Sequence, residues 1–338
     1  MKLAASYFGN RMARHVAADM EALRALGCER VVHTFSENDL AYYAGTLREI
    51  VALSRDAGLD VALDPWGVAR IFGGEAYSHW LLEDPDLAQR GRSGRPLAGA
   101  CLNHPRLRER LFGWIDAAAA TGARRIFWDE PHWVPRGPGN PDGEICACEH
   151  CRRIAGTLVK RSPAEIARLR GEAVVRLLAE LTAYAERRGL ASSICVLPQG
   201  VIDQPPLDWD ELAGLPGVTE FGTDPYWQAF GIDTPEERDA FIDRHATAAL
   251  GAAHRAGVEC LLWLQAFRVP AGREEDLFAG TRRLLAHQPD CVAIWGFEAC
   301  AHMSTLACGN PDRVWHGLID LVRAATPAGD AAGRRSDE

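Results

Sequence analysis

No stretch of this sequence approaches the ~18 consecutive apolar residues of a transmembrane helix. The N-terminal apolar segment ends at Phe8, too short for the core of a signal peptide, so we expect a cytoplasmic protein. The chain also lacks a cluster of Lys and Arg, and its formal net charge is −9. A negative surface repels phosphate groups, and we therefore expect neither a nucleic acid nor a membrane as partner. No GxGxxG motif follows the first apolar segment, which argues against a dinucleotide-binding sheet.

What the sequence does contain is a repeated unit. In this unit an amphipathic helical segment ends at a Gly. A short apolar run follows, and its last residue is polar or aromatic. Such runs follow Gly27, Gly58, Gly122, Gly189 and Gly257, and three more cover residues 2–8, 217–224 and 291–298. Strands alternating with helices predict an α/β protein with a single (β/α)8 barrel. An open doubly wound sheet is the alternative.

One domain is expected to cover residues 1–326. Ser162-Pro163 and Thr234-Pro235 each have a Glu three residues after the first residue, a pattern that predicts the start of a helix. Two long segments, 67–104 and 134–161, follow the third and fourth strands and do not fit the repeat; loops of this length are usually functional. The tail 327–338 has the composition of a disordered end.

The sequence has ten cysteines, and three of them stand close together at positions 146, 148 and 151. A chain without an export signal is not expected to carry a disulfide framework, whereas this spacing suits one tetrahedral metal ion. The fourth predicted ligand is Cys101, with His150 and His132 as alternatives. Four thiolates leave no position open for water, so we predict structural zinc bound by Cys101, Cys146, Cys148 and Cys151. The opposing interpretation is a set of unconnected buried thiols.

Residues 98–155 resemble part of the family 42 glycoside hydrolases, a group of β-galactosidases built on a (β/α)8 barrel. Those enzymes bind zinc through one Cys after strand 3 and a CxCxxC after strand 4, as Cys101 and residues 146–151 do here. In that family the fourth strand ends in Asn-Glu; here it ends in Asp129-Glu130, and the resemblance implies that Glu130 is the general acid/base. The family's nucleophile is a Glu that ends strand 7, where this sequence has Gln265.

Chemistry in barrels of this kind takes place where the strands end. Glycosidic cleavage needs two carboxyl groups, one protonated to assist the leaving group and one ionised to attack or to activate water. The catalytic candidates are Glu130, Asp129, Asp224 and Glu298. Glu130 is the first choice for the acid, because desolvation by Trp128 and Trp133 would raise its pKa. Asp224 and Glu298 are equal choices for the second carboxylate, and Asp129 paired with Asp224 is a further alternative.

Aromatic and polar side chains at the same strand ends are candidates for substrate binding. Of ten Trp, six lie in or just after the last residues of a strand, where an indole can stack on a sugar ring. For any single Trp the alternative is a position in the core. The substrate-binding candidates are Tyr7, His33, Asp64, Trp66, Trp128, His132, Trp133, Tyr226, Trp227, Trp263, Gln265 and Trp295.

The resulting hypothesis is a hydrolase, a glycosidase that cleaves a small glycoside or oligosaccharide, with a small-molecule carbohydrate as its partner. One alternative assigns the carboxylates to a catalytic divalent metal in an isomerase or lyase of sugar derivatives. Another is a sugar-binding barrel without turnover, which Gln265 at the nucleophile position would permit. The oligomeric state is left open, with a homo-oligomer among the alternatives.

Overall fold

The protein is described by a computed structural model that covers residues 1–8, 10–136, 146–155 and 162–326. The strands in these residues are β1 (Lys2–Tyr7), β2 (Arg30–Thr34), β3 (Asp60–Asp64), β4 (Ala88–Arg90), β5 (Pro96–Ala100), β6 (Arg125–Asp129), β7 (Ala191–Val196), β8 (Val218–Thr223), β9 (Glu259–Gln265) and β10 (Cys291–Trp295). The helices are α1 (Ala13–Ala25), α2 (Glu37–Tyr42), α3 (Ala44–Asp56), α4 (Trp80–Glu83), α5 (Pro105–Ala120), α6 (Glu149–Ala155), α7 (Pro163–Arg187), α8 (Trp209–Ala213), α9 (Pro235–Ala256), α10 (Glu274–Leu285) and α11 (Pro311–Ala325).

Eight parallel strands form a closed barrel in the order β1, β2, β3, β6, β7, β8, β9, β10 and back to β1. Each of the eight predicted strands is present, so the predicted (β/α)8 fold is confirmed and the open sheet is excluded. The two predicted helix starts are present as well. Ser162 forms a capping box with Glu165 at the start of α7, and the Thr234 hydroxyl accepts from the Glu237 amide at the start of α9.

The long segment after β3 contains structure that the sequence did not predict. A turn of 3-10 helix (Val68–Arg70), α4 and the antiparallel hairpin of β4 and β5 lie within it. The segment after β6 is described only for residues up to 136 and from 146 to 155, and the predicted disordered tail lies outside the described residues. In the described parts of the chain, no helix has the length and apolar character needed to cross a bilayer.

Side chains that point into the barrel form three levels along its axis. At the N-terminal end, Arg30 donates to both oxygens of the buried Glu220 carboxylate at 2.7 and 2.9 Å, and the Ser193 hydroxyl donates to the same group at 2.6 Å. Apolar residues such as Val32 and Phe127 fill the middle. The third level is formed by polar residues at the C-terminal ends of the strands. We call this end of the barrel the mouth, and the functional site is expected there.

Candidate active site and metal centre

Three aspartates stand at the C-terminal ends of β3, β6 and β8. Asp64 is completely buried, and neither of its carboxyl oxygens has a hydrogen-bond partner. Asp224 is 2% exposed; its Oδ2 has no partner, and the Cys195 thiol lies 3.8 Å from its Oδ1. Asp129 ends β6 and is half-buried. Buried polar groups are normally paired, so unpartnered carboxyl oxygens in this position mark a site for a ligand.

Glu130 follows Asp129 and has a left-handed backbone, with φ of 41°. In an extended strand two consecutive side chains point to opposite faces, but the left-handed turn lets both carboxyl groups line one cavity. The Glu130 amide donates to the carbonyl of Cys195 at 3.0 Å, which fixes the turn to β7. Non-glycine residues in this conformation are costly and cluster at functional sites.

The cavity that Asp129 and Glu130 line has a volume of about 270 Å³. Its other walls come from the loops after β3, β7, β8 and β9 and from the end of β10. They are formed by Gly74, Glu75, Leu197, Ile202, Tyr226, Ala229, Phe230, Phe267 and Trp295. A larger cavity of about 420 Å³ lies beside it around residues 197–209, but none of its lining residues carries a carboxyl group. Of these two cavities, only the smaller one has carboxyl groups in its lining.

Glu75 is a member of this site that the sequence did not predict. It lies in the segment after β3, and its carboxylate is 3.8 Å from the guanidinium of Arg268. The two preceding glycines allow this segment to come close, because a methyl group on Gly73 would overlap the Asp129 carboxyl and one on Gly74 would overlap the indole of Trp66. The Gly73-Gly74 pair was the signal that could have identified Glu75.

The segment that carries Glu75 is fixed by hydrogen bonds to Glu37, the first residue of α2. Glu37 is 3% exposed, and its carboxylate accepts three hydrogen bonds of 2.7 Å. The donors are the Ala69 amide, the Ser78 hydroxyl and the Trp80 amide, which lie on both sides of Glu75 in the chain.

Crowding of carboxyl groups raises their pKa values. Burial raises the pKa of Asp64, Asp129 and Asp224 well above the usual range, and repulsion from neighbouring carboxylates raises each further. Glu130 contributes to all three shifts, and its carboxyl is close enough to Asp224 to share a hydrogen-bonded proton. Desolvation also raises the pKa of Glu75, while Arg268 opposes the shift. The site therefore retains protons that isolated carboxyl groups would lose.

Several of the predicted aromatic residues do lie at the mouth. Trp66 stacks on Phe8 with ring centroids 5.7 Å apart, and Trp295 stacks on the same ring at 5.4 Å. Trp263 closes the floor beneath Trp295 and is 1% exposed. Tyr226 lines the cavity, where burial raises the pKa of its hydroxyl. The structure thus brings four predicted aromatic candidates together with Asp64, Asp129, Glu130 and Asp224.

Tyr7 and His33 lie on the outer side of the barrel wall. The Tyr7 hydroxyl donates to Asp19 of α1 at 2.5 Å, and the His33 ring nitrogen lies 2.8 Å from the Ser54 hydroxyl of α3. Burial lowers the pKa of His33 to about 3, so its imidazole is neutral. The alternation of side chains along β1 and β2 directs both residues to the helices, which removes them from the substrate-binding candidates.

Trp128, Trp133 and Trp227 are likewise packed between the barrel and the helices. The Trp128 indole donates to the Ser192 hydroxyl at 3.1 Å, and the Trp133 indole donates to the carbonyl of Arg170 in α7 at 3.0 Å. The Trp227 ring lies against Gly280 of α10. None of the three lines the cavity, and the desolvation of Glu130 that we expected from Trp128 and Trp133 has no structural basis.

Three further candidates occupy supporting or remote positions. Glu298 is exposed in a turn after β10 and does not line the cavity, so we correct its assignment as a catalytic candidate. Gln265 is 2% exposed and bonds to the backbone of Ala229 and Phe267, which fixes the walls of the mouth. His132 has its Nδ1 2.6 Å from the carbonyl of Glu130 and its amide bonded to Ile71, which places it behind the acid.

The four predicted metal ligands lie together beside the mouth. The Cys101 sulfur is 3.5 Å from that of Cys148 and 3.4 Å from that of Cys151, and all four sulfurs, with Cys146, fall within 4.8 Å of one another. Zinc–sulfur bonds of about 2.3 Å in a tetrahedron place the sulfurs roughly 3.8 Å apart. The geometry therefore fits a metal ion with four thiolates, and Cys101 is the fourth member of the group.

Polar hydrogens around the cluster support the same interpretation. The Arg90 amide donates to the Cys146 sulfur at 3.1 Å, and the Asn103 side chain donates to the Cys151 sulfur at 3.2 Å. Such donors stabilise the negative charge of metal-bound thiolates. The cluster joins the end of β5 to α6, so the two long segments after β3 and β6 are connected there.

Comparison with known proteins places the chain among barrels of this architecture. No family profile and no curated protein matches the sequence. The catalytic domain of β-amylase from Paenibacillus polymyxa has a TM-score of 0.62 at 10% identity, over 96% of this chain and 99% of that chain. An endo-1,4-β-mannanase from Rhizomucor miehei has a TM-score of 0.64 at 11% identity, over 96% and 94%. An exo-β-1,4-mannosidase from Opitutaceae bacterium strain TAV5 has a TM-score of 0.59 at 15% identity, over 96% and 60%.

At these identities the likeness shows a shared fold. The three neighbours are glycoside hydrolases, and the chain is similar to them along almost its whole length. They do not single out the family 42 enzymes that residues 98–155 resemble. A function for this chain must therefore be argued from its own residues.

Proposed function

We propose that this chain is a glycoside hydrolase that cleaves a small glycoside or oligosaccharide at the C-terminal mouth of the barrel. The observation that carries the proposal is the convergence of Asp129 and Glu130 on one cavity with aromatic walls. Carboxyl groups there can transfer protons to and from a glycosidic oxygen, and the aromatic rings can hold the sugar. The fold shared with an amylase, a mannanase and a mannosidase supports this assignment.

Glu130 is assigned as the general acid. It lines the cavity and lies against the buried Asp224, whose pKa is raised by burial and by the charge of Glu130. This contact is closer than the about 5 Å or more that separates the two reacting carboxyl groups of glycosidases. Asp224 therefore acts through Glu130 as a positioning residue.

Asp129 is assigned as the second carboxyl group, which attacks the sugar or activates water. It must be ionised to do so. Desolvation is the largest cause of the raised pKa of both Asp64 and Asp129; we assign the proton to Asp64, which is fully buried, and the charge to Asp129, which lines the cavity. A neutral Asp64 no longer repels the charge on Asp129.

We assign structural zinc to Cys101, Cys146, Cys148 and Cys151. When bound, the ion would join the two long segments that border the mouth; with four thiolates it has no open position for a substrate. Of the two alternatives from the sequence, a carboxylate-bound catalytic metal has less support. Among the residues that the structure describes, the four cysteines are the only group of three or more potential ligands placed to hold a metal ion.

Hydrolysis of a panel of aryl glycosides and oligosaccharides tests the proposal. We expect Glu130→Gln to lower kcat by about 10²- to 10⁴-fold, the usual contribution of a general acid, with unchanged circular dichroism and zinc content. The matched control is Glu236→Gln, which removes the same charge from an exposed position in the first turn of α9. That variant should retain wild-type activity.

Three results would contradict the proposal in different ways. If no glycoside in the panel is cleaved and no sugar changes the melting temperature, the chain is not a carbohydrate enzyme. If sugars bind but none is cleaved, the chain is a sugar-binding barrel. An activity that is lost on mild chelation, while zinc remains on the cysteines, would instead favour the metal-dependent isomerase or lyase.

A further inference from the structure

The larger cavity beside the mouth has no part in the proposed reaction so far. Its volume is about 420 Å³, and its walls come from the loop after β7 and from α7, α8 and α9. Pro131, which directly follows Glu130 in the chain, forms part of the wall, and Leu197 lines both cavities. A general acid protonates the leaving-group oxygen of a glycoside. The larger cavity therefore lies on the side of the acid, where the leaving group is held.

The lining of the larger cavity is mostly apolar. Four prolines, two leucines, one valine and Trp209 form most of it. Its two glutamines are bonded to the backbone: Gln204 accepts from the Trp133 amide at 3.0 Å and donates to the Trp133 carbonyl at 2.8 Å, and Gln199 donates to the Leu207 carbonyl at 3.0 Å. The hydroxyl groups of a sugar ring need acceptors as well as donors. An apolar group suits these walls better than a second sugar.

Two donors in this lining have no acceptor. Trp209 is 7% exposed, and its indole nitrogen is buried without a hydrogen-bond partner. Arg244 of α9 is the one charged residue among the described lining residues, and its guanidinium forms no hydrogen bond or ion pair with another described side chain or backbone group. The neighbouring Asp243 is already bonded to Arg283 and His287.

The position of these two donors indicates what they bind. Trp209 and Arg244 also line an adjoining cavity of about 260 Å³, so both lie where the two cavities meet. Buried N–H groups are normally paired, and a guanidinium group binds carboxylates through its fork of donors. The missing partner is therefore an acceptor with a negative charge at the end of an apolar group.

We propose that the larger cavity binds an apolar ring that carries a carboxylate, and that this ring is the leaving group of the glycoside. The inference rests on the proposed glycosidase function and adds the class of the leaving group. The ring would lie against the prolines, and its carboxylate would accept from Arg244 and from the Trp209 indole. The volume of about 420 Å³ falls within the roughly 300–1,000 Å³ of cavities that bind small molecules.

Binding of the free leaving group tests the site without turnover. The probes are 3-(4-hydroxyphenyl)propionate and its primary amide, which have nearly the same shape and differ in charge. Calorimetry at a fixed ionic strength should show the acid binding about fivefold or more tightly than the amide, because charge-assisted hydrogen bonds are stronger than neutral ones. Glu130→Gln should keep this preference, since the acid does not line the larger cavity.

Two variants locate the carboxylate. Arg244→Gln removes the charge and should abolish most of the preference, while Trp209→Phe keeps a ring in the wall but removes the indole donor and should reduce the preference by a smaller factor. Arg244 is exposed, so its variant is expected to fold even if the Trp209 substitution does not. The matched control is Arg282→Gln, which removes the same charge from an exposed position on α10 and should keep the full preference.

Glycosides of the same two phenols connect the site to turnover. The methylene groups separate the carboxylate from the ring, so the two phenols are nearly equal as leaving groups. With a sugar that the enzyme cleaves, the acid should have the lower KM at a similar kcat, and Arg244→Gln should remove this difference.

Failure of this inference can be separated from failure of the proposed function. Cleavage of both glycosides with equal KM, together with equal binding of the acid and the amide, would overturn the inference and leave the hydrolase intact. Preferential binding of the acid that depends on Arg244, without cleavage of any glycoside, would support the binding site and reject the hydrolase. An undiminished preference in both Arg244→Gln and Trp209→Phe would overturn the inference. So would a change in the length of the oligosaccharide that these variants cleave, because a sugar would then occupy the cavity.

Discussion

Glu37 offers a test of how the site is held together that does not depend on the substrate. Its buried carboxylate accepts from the Ala69 amide and the Ser78 hydroxyl through one oxygen, and from the Trp80 amide through the other. These bonds fix the two ends of the segment that carries Glu75. Glu37→Gln keeps the shape of the side chain but replaces one acceptor oxygen by a donor, so one of the buried donors loses its partner.

The expected cost follows from these contacts. A buried donor left without a partner costs about 1–3 kcal/mol. The two remaining hydrogen bonds lose their charge assistance, which accounts for roughly half of the strength of such bonds. We therefore expect Glu37→Gln to lower the free energy of unfolding by about 2–4 kcal/mol, unless the segment opens locally and limits the loss.

Urea denaturation gives the first measurement, and hydrogen exchange at the Ala69 and Trp80 amides gives the second. Either the free energy of unfolding falls as stated, or these two amides exchange much faster while the barrel strands stay protected. Glu49→Gln is the matched control, since Glu49 is exposed on α3 and should change neither quantity. A variant with wild-type stability and unchanged exchange at both amides would refute the role of Glu37 as an anchor.

Two further predictions concern the metal ligands and the buried aspartate. The purified protein should contain one zinc per chain by elemental analysis; Cys101→Ser should lose it and become protease-sensitive near residues 88–104, whereas Cys308→Ser, remote from the cluster, should keep it. Metal-free protein with wild-type protease resistance would contradict this. Burial raises the folded-state pKa of Asp64, so the folded protein holds a proton that the unfolded chain loses, and this destabilises the fold increasingly as pH rises above about 4. Asp64→Asn should therefore raise the free energy of unfolding more at pH 7.5 than at pH 4, and equal changes at both pH values would contradict a raised pKa.

The strands could be predicted from the sequence because in most copies of the repeat a Gly marks the end of the helix that precedes the strand. Gly27, Gly58, Gly122, Gly189 and Gly257 all have positive φ values, between 71° and 88°, at the ends of helices that precede barrel strands. A left-handed residue at this point is easily supplied by Gly, and the apolar run after it is too short for another helix. The pattern therefore identified both the strands and their order.

The direction of each side chain at the rim could not be predicted in the same way. Strands of a closed parallel barrel are buried on both faces, so apolar residues alternate with other apolar residues and give no contrast. Phe127 points into the barrel and Trp128 points to the helices, although the two look equivalent in the sequence. The same ambiguity explains why Tyr7 and His33 were assigned to the mouth.

Glu75 was missed for a different reason. It is fixed by contacts between segments distant in the sequence, including those of Glu37 with the loop and of Arg268 with Glu75 itself. No periodic pattern records such contacts. Only the glycine pair before Glu75 indicated that this loop approaches another part of the chain closely.

The cysteine cluster and the carboxyl groups are connected by a short path through the backbone. The Ala147 amide donates to the Arg90 carbonyl of β4 at 2.7 Å, and the neighbouring Gln89 side chain accepts from the Val134 amide at 3.3 Å. Val134 lies four residues after Glu130, and the His132 amide between them is bonded to Ile71. A metal ion on the cysteines would therefore stabilise the hairpin that supports the segment after Glu130. Loss of the ion should accordingly weaken the placement of the acid more than the stability of the barrel, because the eight strands close without any contribution from the cluster.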